Sequence, residues 1–171
     1  MALVIEDGTV VTGANSYVTS AEVIAFALAR GISIPEDTDL DGMVVQAKDY
    51  VDSFEDQYKG VRVSATQPLA WPRKNVVIFS AKLPEDSIPQ RLKDAQCQAT
   101  IEVFNGAELQ PNITGYAVRV EKVDVIQVEY ATGGGSNSVA QPEYTPSYTK
   151  VIALLKPLFG GVAGLLKVYR A

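Results

Sequence analysis

The strongest constraint on how this chain can fold lies in residues 67–75, QPLAWPRKN, where its one tryptophan sits between two prolines. Pro68 and Pro72 each lack a backbone donor and fix φ, and each holds the residue before it, Gln67 or Trp71, in extended geometry. Neither a helix nor a central strand can pass through, so the elements must be arranged around a stiff loop. An indole buries roughly 200 Å² and seeks a partner for its N–H. Trp71 therefore predicts an anchor, placed either on its own core or on another chain, and Arg73 and Lys74 follow it at once.

Helical periodicity frames this loop. At VTSAEV, Thr19 is placed as N-cap, Glu22 closes a capping box, and Val18 with Val23 forms a hydrophobic staple, so a helix starts there and stops at Gly31. A second helix follows from Leu40, Met43, Val44, Ala47, Val51, Phe54 and Tyr58 at spacings of three and four, with Asp41, Asp49, Asp52, Glu55 and Asp56 on an acidic outer face. Pro89 opens a third helix through QRLKDAQCQATIEVFN. Its small residues allow close approach, which makes it the central helix and Cys97 a buried small hydrophobe.

The remaining segments read as strands, linker and tail. Asp7-Gly8 predicts a hairpin turn within LVIEDGTVV, residues 3–11, and a period of two from Tyr116 to Tyr130, with two register slips, predicts a bulge or two strands. Residues 132–147 are rich in Gly, Ser, Asn and Pro and read as a linker. Beyond it, Leu154, Leu155 and Leu158 belong to a short apolar helix, and Leu165, Leu166, Lys167, Val168, Tyr169 and Arg170 to an apolar, basic tail. Residues 1–131 are expected to form a core and 132–171 a linker and arm that either packs back on the helices or, the favoured reading, adds itself to a partner. The expected class is mainly α with some β: a small antiparallel helical bundle, a minor β element and an extended C-terminal arm.

Composition narrows function by exclusion. With no histidine and one cysteine, the chain lacks imidazole and thiolate clusters for metal and any Ser-His-Asp or Cys-His arrangement. The expectation is a non-enzyme without metal or cofactor, soluble and off the membrane. A net charge of −5 argues against coating duplex DNA. Lys59, Arg62, Arg73 and Lys74 around Trp71 still make a candidate single-stranded nucleic-acid site, because such sites combine cations with stacking aromatics.

The segments ANSYVTSAE at 14–22, AKDYVDS, YKGVR, QPLAWPRKNV and IPQRLKDAQCQAT resemble a family of tailed-bacteriophage proteins. Its members are labelled DnaT-like single-stranded-DNA-binding proteins and are similar to head-to-tail connector adaptors. The resemblance spans roughly residues 14–130 and implies a virion neck protein, made in the host cytoplasm, that forms a twelve-fold ring. Its implied partners are copies of itself, the portal protein, the next neck or tail protein, and genomic DNA by non-specific contact. Arg73 and Lys74 would then meet acids of a neighbour's second helix, and the tail would dock on the portal. Single-stranded-DNA binding in phage replication is the alternative.

Overall fold

The computed structural model describes residues 2–35, 37–110, 120–123, 126–129 and 148–160. These form two compact units, one holding the residues up to Leu109 together with those from Tyr148 on, the other lying within residues 110–146. The second unit contains the antiparallel hairpin of β5, Val120–Val123, with β6, Ile126–Glu129, so the period-two segment is two strands.

In the first unit, α1 (Ser20–Leu28) begins as expected, with both halves of the Thr19–Glu22 capping box in place. Gly31, at φ 73°, sits in the turn that follows it. Helix α2 covers Asp41–Asp52, α3 covers Gln90–Phe104 and α4 covers Thr149–Leu155. Helices α1, α2 and α4 all pack on α3. At 100° per residue, Leu92, Ala95 and Ala99 of α3 lie opposite Cys97 and Ile101. The first set joins the cluster around Trp71, Leu69, Val151, Leu155 and Leu158, and the second joins Val18, Val23, Ala27, Leu40 and Val44. Two cores on opposite faces explain why α3 is buried nearly all round.

Gln96 stitches the two. Fully buried, its amide donates to Ser16 Oγ at 2.8 Å and to the Val44 carbonyl at 3.0 Å, and accepts from the Tyr17 N–H at 3.0 Å. Such a group stabilises only when every donor and acceptor is used.

The expected helical bundle is not what forms. Among the described residues the α-helices have 9, 12, 15 and 7 residues, and the chain also forms three two-stranded antiparallel sheets. β1 (Val61–Arg62) pairs with β2 (Arg73–Lys74), and β3 (Val77–Ile78) pairs with β4 (Ala81–Lys82). The chain is an α+β mixture, because the irregular stretch between α2 and α3 itself fills core positions with Tyr58, Leu69, Ala70, Trp71 and Val76. Periodicity sees helices and passes over apolar residues set on loops.

Three local expectations change as well. The 3–11 hairpin is absent: the buried Glu6 carboxylate turns inward and accepts from the N–H groups of Gly8, Val10 and Val11, while Ile5 bridges to Ser16. A charge-assisted set of three bonds outweighs one turn dipeptide. The second helix ends at Asp52 instead of running to Tyr58, whose backbone turns extended and whose hydroxyl donates to the Val51 carbonyl. Finally, α4 is no docking arm, because Val151, Leu155 and Leu158 are fully buried in the chain's own core.

Leu155→Ala should therefore cost about 2–5 kcal/mol of folding stability, read as a lowered urea midpoint with unchanged slope. A loss below about 1 kcal/mol would mean that α4 is not part of the core.

Candidate nucleic-acid interface

The tryptophan loop is held from below by α2. Asp52, the last residue of that helix, accepts from the Tyr17 hydroxyl at 2.6 Å and from the Ala70 N–H at 3.3 Å. The same Tyr17 oxygen accepts from the Trp71 N–H at 3.1 Å. Gln67, 3% exposed, donates to the carbonyls of Leu69 and Pro72 and accepts from the Ser64 N–H. The Trp71–Pro72 peptide is cis. Trp71 ends 0% exposed, its ring edge-on to Tyr58 at 5.7 Å, and its indole N–H has no acceptor among the described residues. The anchor is thus intrachain.

The cations around it are also turned inward. Arg73 is 6% exposed; it donates to the carbonyls of Lys59, Gly60 and Ala70 at 2.9, 3.0 and 3.3 Å and pairs with Glu55 at 3.5 Å. Arg62 forms a fork on Glu55 and donates to the Gln67 carbonyl. Lys59 reaches the Pro157 carbonyl at 2.9 Å. Gly60 lies within this arrangement at φ 72°, where a Cβ would come 2.3 Å from the Lys74 carbonyl oxygen.

The charges follow from these contacts. Arg62 hydrogen bonds hold the Glu55 carboxyl below its usual range. Burial pushes the Asp52 carboxyl up to about 6, against the opposing pull of the Tyr17 and Ala70 hydrogen bonds. Burial likewise raises the Tyr17 and Tyr58 hydroxyls and pushes the Cys97 thiol up to about 12, as fits an inert core thiol.

The sequence-predicted site residues therefore part company. Trp71, Arg73, Leu155 and Leu158 are buried in the chain's own core, and Leu154 packs against it. Lys74 is half-buried on β2, paired with Val61. Leu165, Leu166, Lys167, Val168, Tyr169 and Arg170 lie outside the described residues. Arg73 does not emerge toward a neighbour's acids, since the chain's own Glu55 receives it. Asp52 and Glu55, expected on a solvated acidic face, instead grip the loop.

The next hairpin and the start of α3 form a cation and aromatic pairing with an exposed cation, and a second such pairing, Arg30 over the Phe26 ring at 3.3 Å, lies at the C-terminal end of α1. Strands β3 and β4 are joined by Phe79 and Ser80 at φ 51° and 67°. A two-residue turn with both φ values positive favours Asn-Gly, and a bulky side chain there is an outlier costing roughly 1–2 kcal/mol. Phe79 is 74% exposed, the Arg91 guanidinium lies over its ring at 5.3 Å, and Lys82 extends beside Glu85 at 4.0 Å. The sequence signal VVIFSAK shows only an apolar run, because a Phe-Ser turn carries none of the residues that announce one.

A family model described as "Putative DnaT-like ssDNA binding protein" matches residues 1–171. The chain belongs to that family. No curated protein and no solved structure is significantly similar to it. No metal-binding group of three or more acidic, cysteine or histidine side chains occurs among the described residues, and no described helix is long and apolar enough to cross a membrane.

Two outcomes follow. Trp71→Ala should cost the isolated chain about 3–5 kcal/mol in chemical denaturation, whereas a stable monomer would place the anchor between chains. For Asp52, a folded pKa of about 6 lies above the ordinary 3.8. Its neutral form is therefore favoured by folding, and that stability, up to about 3 kcal/mol, is fully present below pH ~3.8 and lost as pH rises through ~6. Tyr17, Lys48, Glu55, Tyr58 and Arg62 are the charged or titratable groups that act on it. Wild type should lose stability relative to Asp52→Asn between pH 4 and 7; a pH-independent gap in urea melts would refute the assignment.

Proposed function

We propose that this chain is a non-enzymatic single-stranded-DNA-binding protein. The observation that carries the reading is the family match over the whole chain. With a net charge of −5, binding must be local, made by a few cations beside an accessible aromatic, and not by a general basic surface. No cofactor or metal is needed for such binding. The tryptophan loop is not the contact in this reading, since Trp71 and Arg73 are buried.

A fluorescein-labelled dT oligomer should bind, by anisotropy, with log K falling on log salt at a slope of roughly −1.4 to −2.1, the mark of two or three phosphates neutralised on a single strand. Trp71 emission should not change on binding. Absence of binding at low salt would end this reading.

A second reading is favoured by a separate observation. Val61 and Val77 on strands and Phe79 in a turn, at 51, 50 and 74% exposed, place large apolar side chains on sheets that have two strands each among the described residues, a pattern that suits assembly. In that reading the chain is a tailed-phage connector subunit in the virion neck, assembled in the host cytoplasm as a twelve-fold ring. Its partners are other copies of itself, the portal and the next neck or tail protein, with non-specific contact to DNA passing through. Portal docking then falls to residues 165–170 and not to the buried leucines of α4. Co-expression with the portal and native mass spectrometry should give a ring complex; a chain that remains apart from the portal counts against it.

A further inference from the structure

We propose that Phe79 and Arg91 form the stacking contact for a base of single-stranded DNA, with Lys82 on the adjoining phosphate; this rests on the single-strand reading above. Three observations converge on the β3–β4 hairpin. The first is exposure: Phe79 is the most exposed of the large apolar side chains in the described structure, at 74%, and it stands at the tip of the turn. The second is backbone strain. Phe79 and Ser80 both hold positive φ, 51° and 67°, in a turn that Asn-Gly would occupy without penalty. A bulky residue kept in a strained, exposed position points to a use outside the fold.

The third observation is charge. The Arg91 guanidinium lies over the Phe79 ring at 5.3 Å and makes no ion pair among the described residues. It is contributed by the first turn of α3, a helix whose backbone is fixed by burial on two faces, while the hairpin tip presents the ring. A base can stack on the ring or on the guanidinium plane, since both surfaces are sequence-tolerant partners of nucleobases. Lys82 on β4 adds a second cation, partly offset by Glu85 at 4.0 Å. An aromatic with two cations and one acid fits a short, salt-sensitive contact to a single strand and gives little purchase on a duplex, whose bases are already stacked.

Labelled dT12 and its duplex serve as probes, with anisotropy as the readout and the urea midpoint as the check on folding. Phe79→Ala and Arg91→Ala should each weaken dT12 binding about 5- to 100-fold, and Phe79→Trp should retain it. Phe79→Gly is the sharper variant: glycine relieves the positive φ, so its urea midpoint should hold or rise while binding is lost. Leu28→Ala, which removes a 70% exposed apolar side chain elsewhere, should leave binding unchanged. If wild type binds dT12 and the Phe79 variants bind as well, the site is wrong and the single-strand reading stands. If wild type does not bind, both fall. If Phe79→Ala instead shifts the oligomeric state with dT12 affinity intact, the hairpin is a protein interface and the proposal is overturned.

Discussion

The structure hangs on two carboxylates one turn apart, the last residue of α2 and Glu55 in the 3-10 turn that follows it. Asp52 takes the loop by its backbone, through the Ala70 N–H, and by the Tyr17 hydroxyl that in turn receives the Trp71 N–H. Glu55 holds two cations, Arg73 of the same loop and Arg62 of the strand β1 that pairs with it. Removing water from such groups costs several kcal/mol each, and the arrangement holds because nearly every donor and acceptor is matched. Arg73 alone uses three backbone carbonyls and a carboxylate. A loop of this kind is specified by its surroundings: with its partners missing it has little local reason to keep its shape.

That dependence explains what could be read from residues alone. The start of α1 was legible because a capping box is a local device, complete within Thr19–Glu22. The centrality of α3 was legible from its small residues. The loop was legible as a stiff anchor, since two prolines say so without reference to anything distant. What was lost is whatever depends on a residue far along the chain. Asp7-Gly8 looked like a hairpin turn until Glu6 took the three N–H groups the turn would have spent elsewhere. Asp52 looked solvated on a helical wheel, because a wheel cannot know that Tyr17 and Ala70 will arrive.

The functional lesson has the same origin. Basic residues beside a tryptophan suggested a nucleic-acid site at 59–74, yet three of those four cations are spent on holding the chain together. One available cation and aromatic pair joins different elements, Phe79 from a hairpin and Arg91 from α3, separated in sequence and brought together only by the fold. Most of the segments that carry the family resemblance are scaffold, while Arg91, within IPQRLKDAQCQAT, and Phe79, on the apolar run VVIF, remain exposed.

The buried Cys97 has a practical meaning for anyone watching this molecule. Its thiol, 3% exposed and pushed up to about 12, is almost entirely protonated at neutral pH and out of reach of alkylating reagents. The chain is in effect thiol-silent. A single cysteine introduced at an exposed position, such as Ala81→Cys on β4, would carry a dye or spin label alone, with no need to delete the native one from a packed core. Trp71, the one tryptophan, is fully buried and serves as an internal gauge of folding, so the hairpin and the core can be observed in the same sample at different wavelengths.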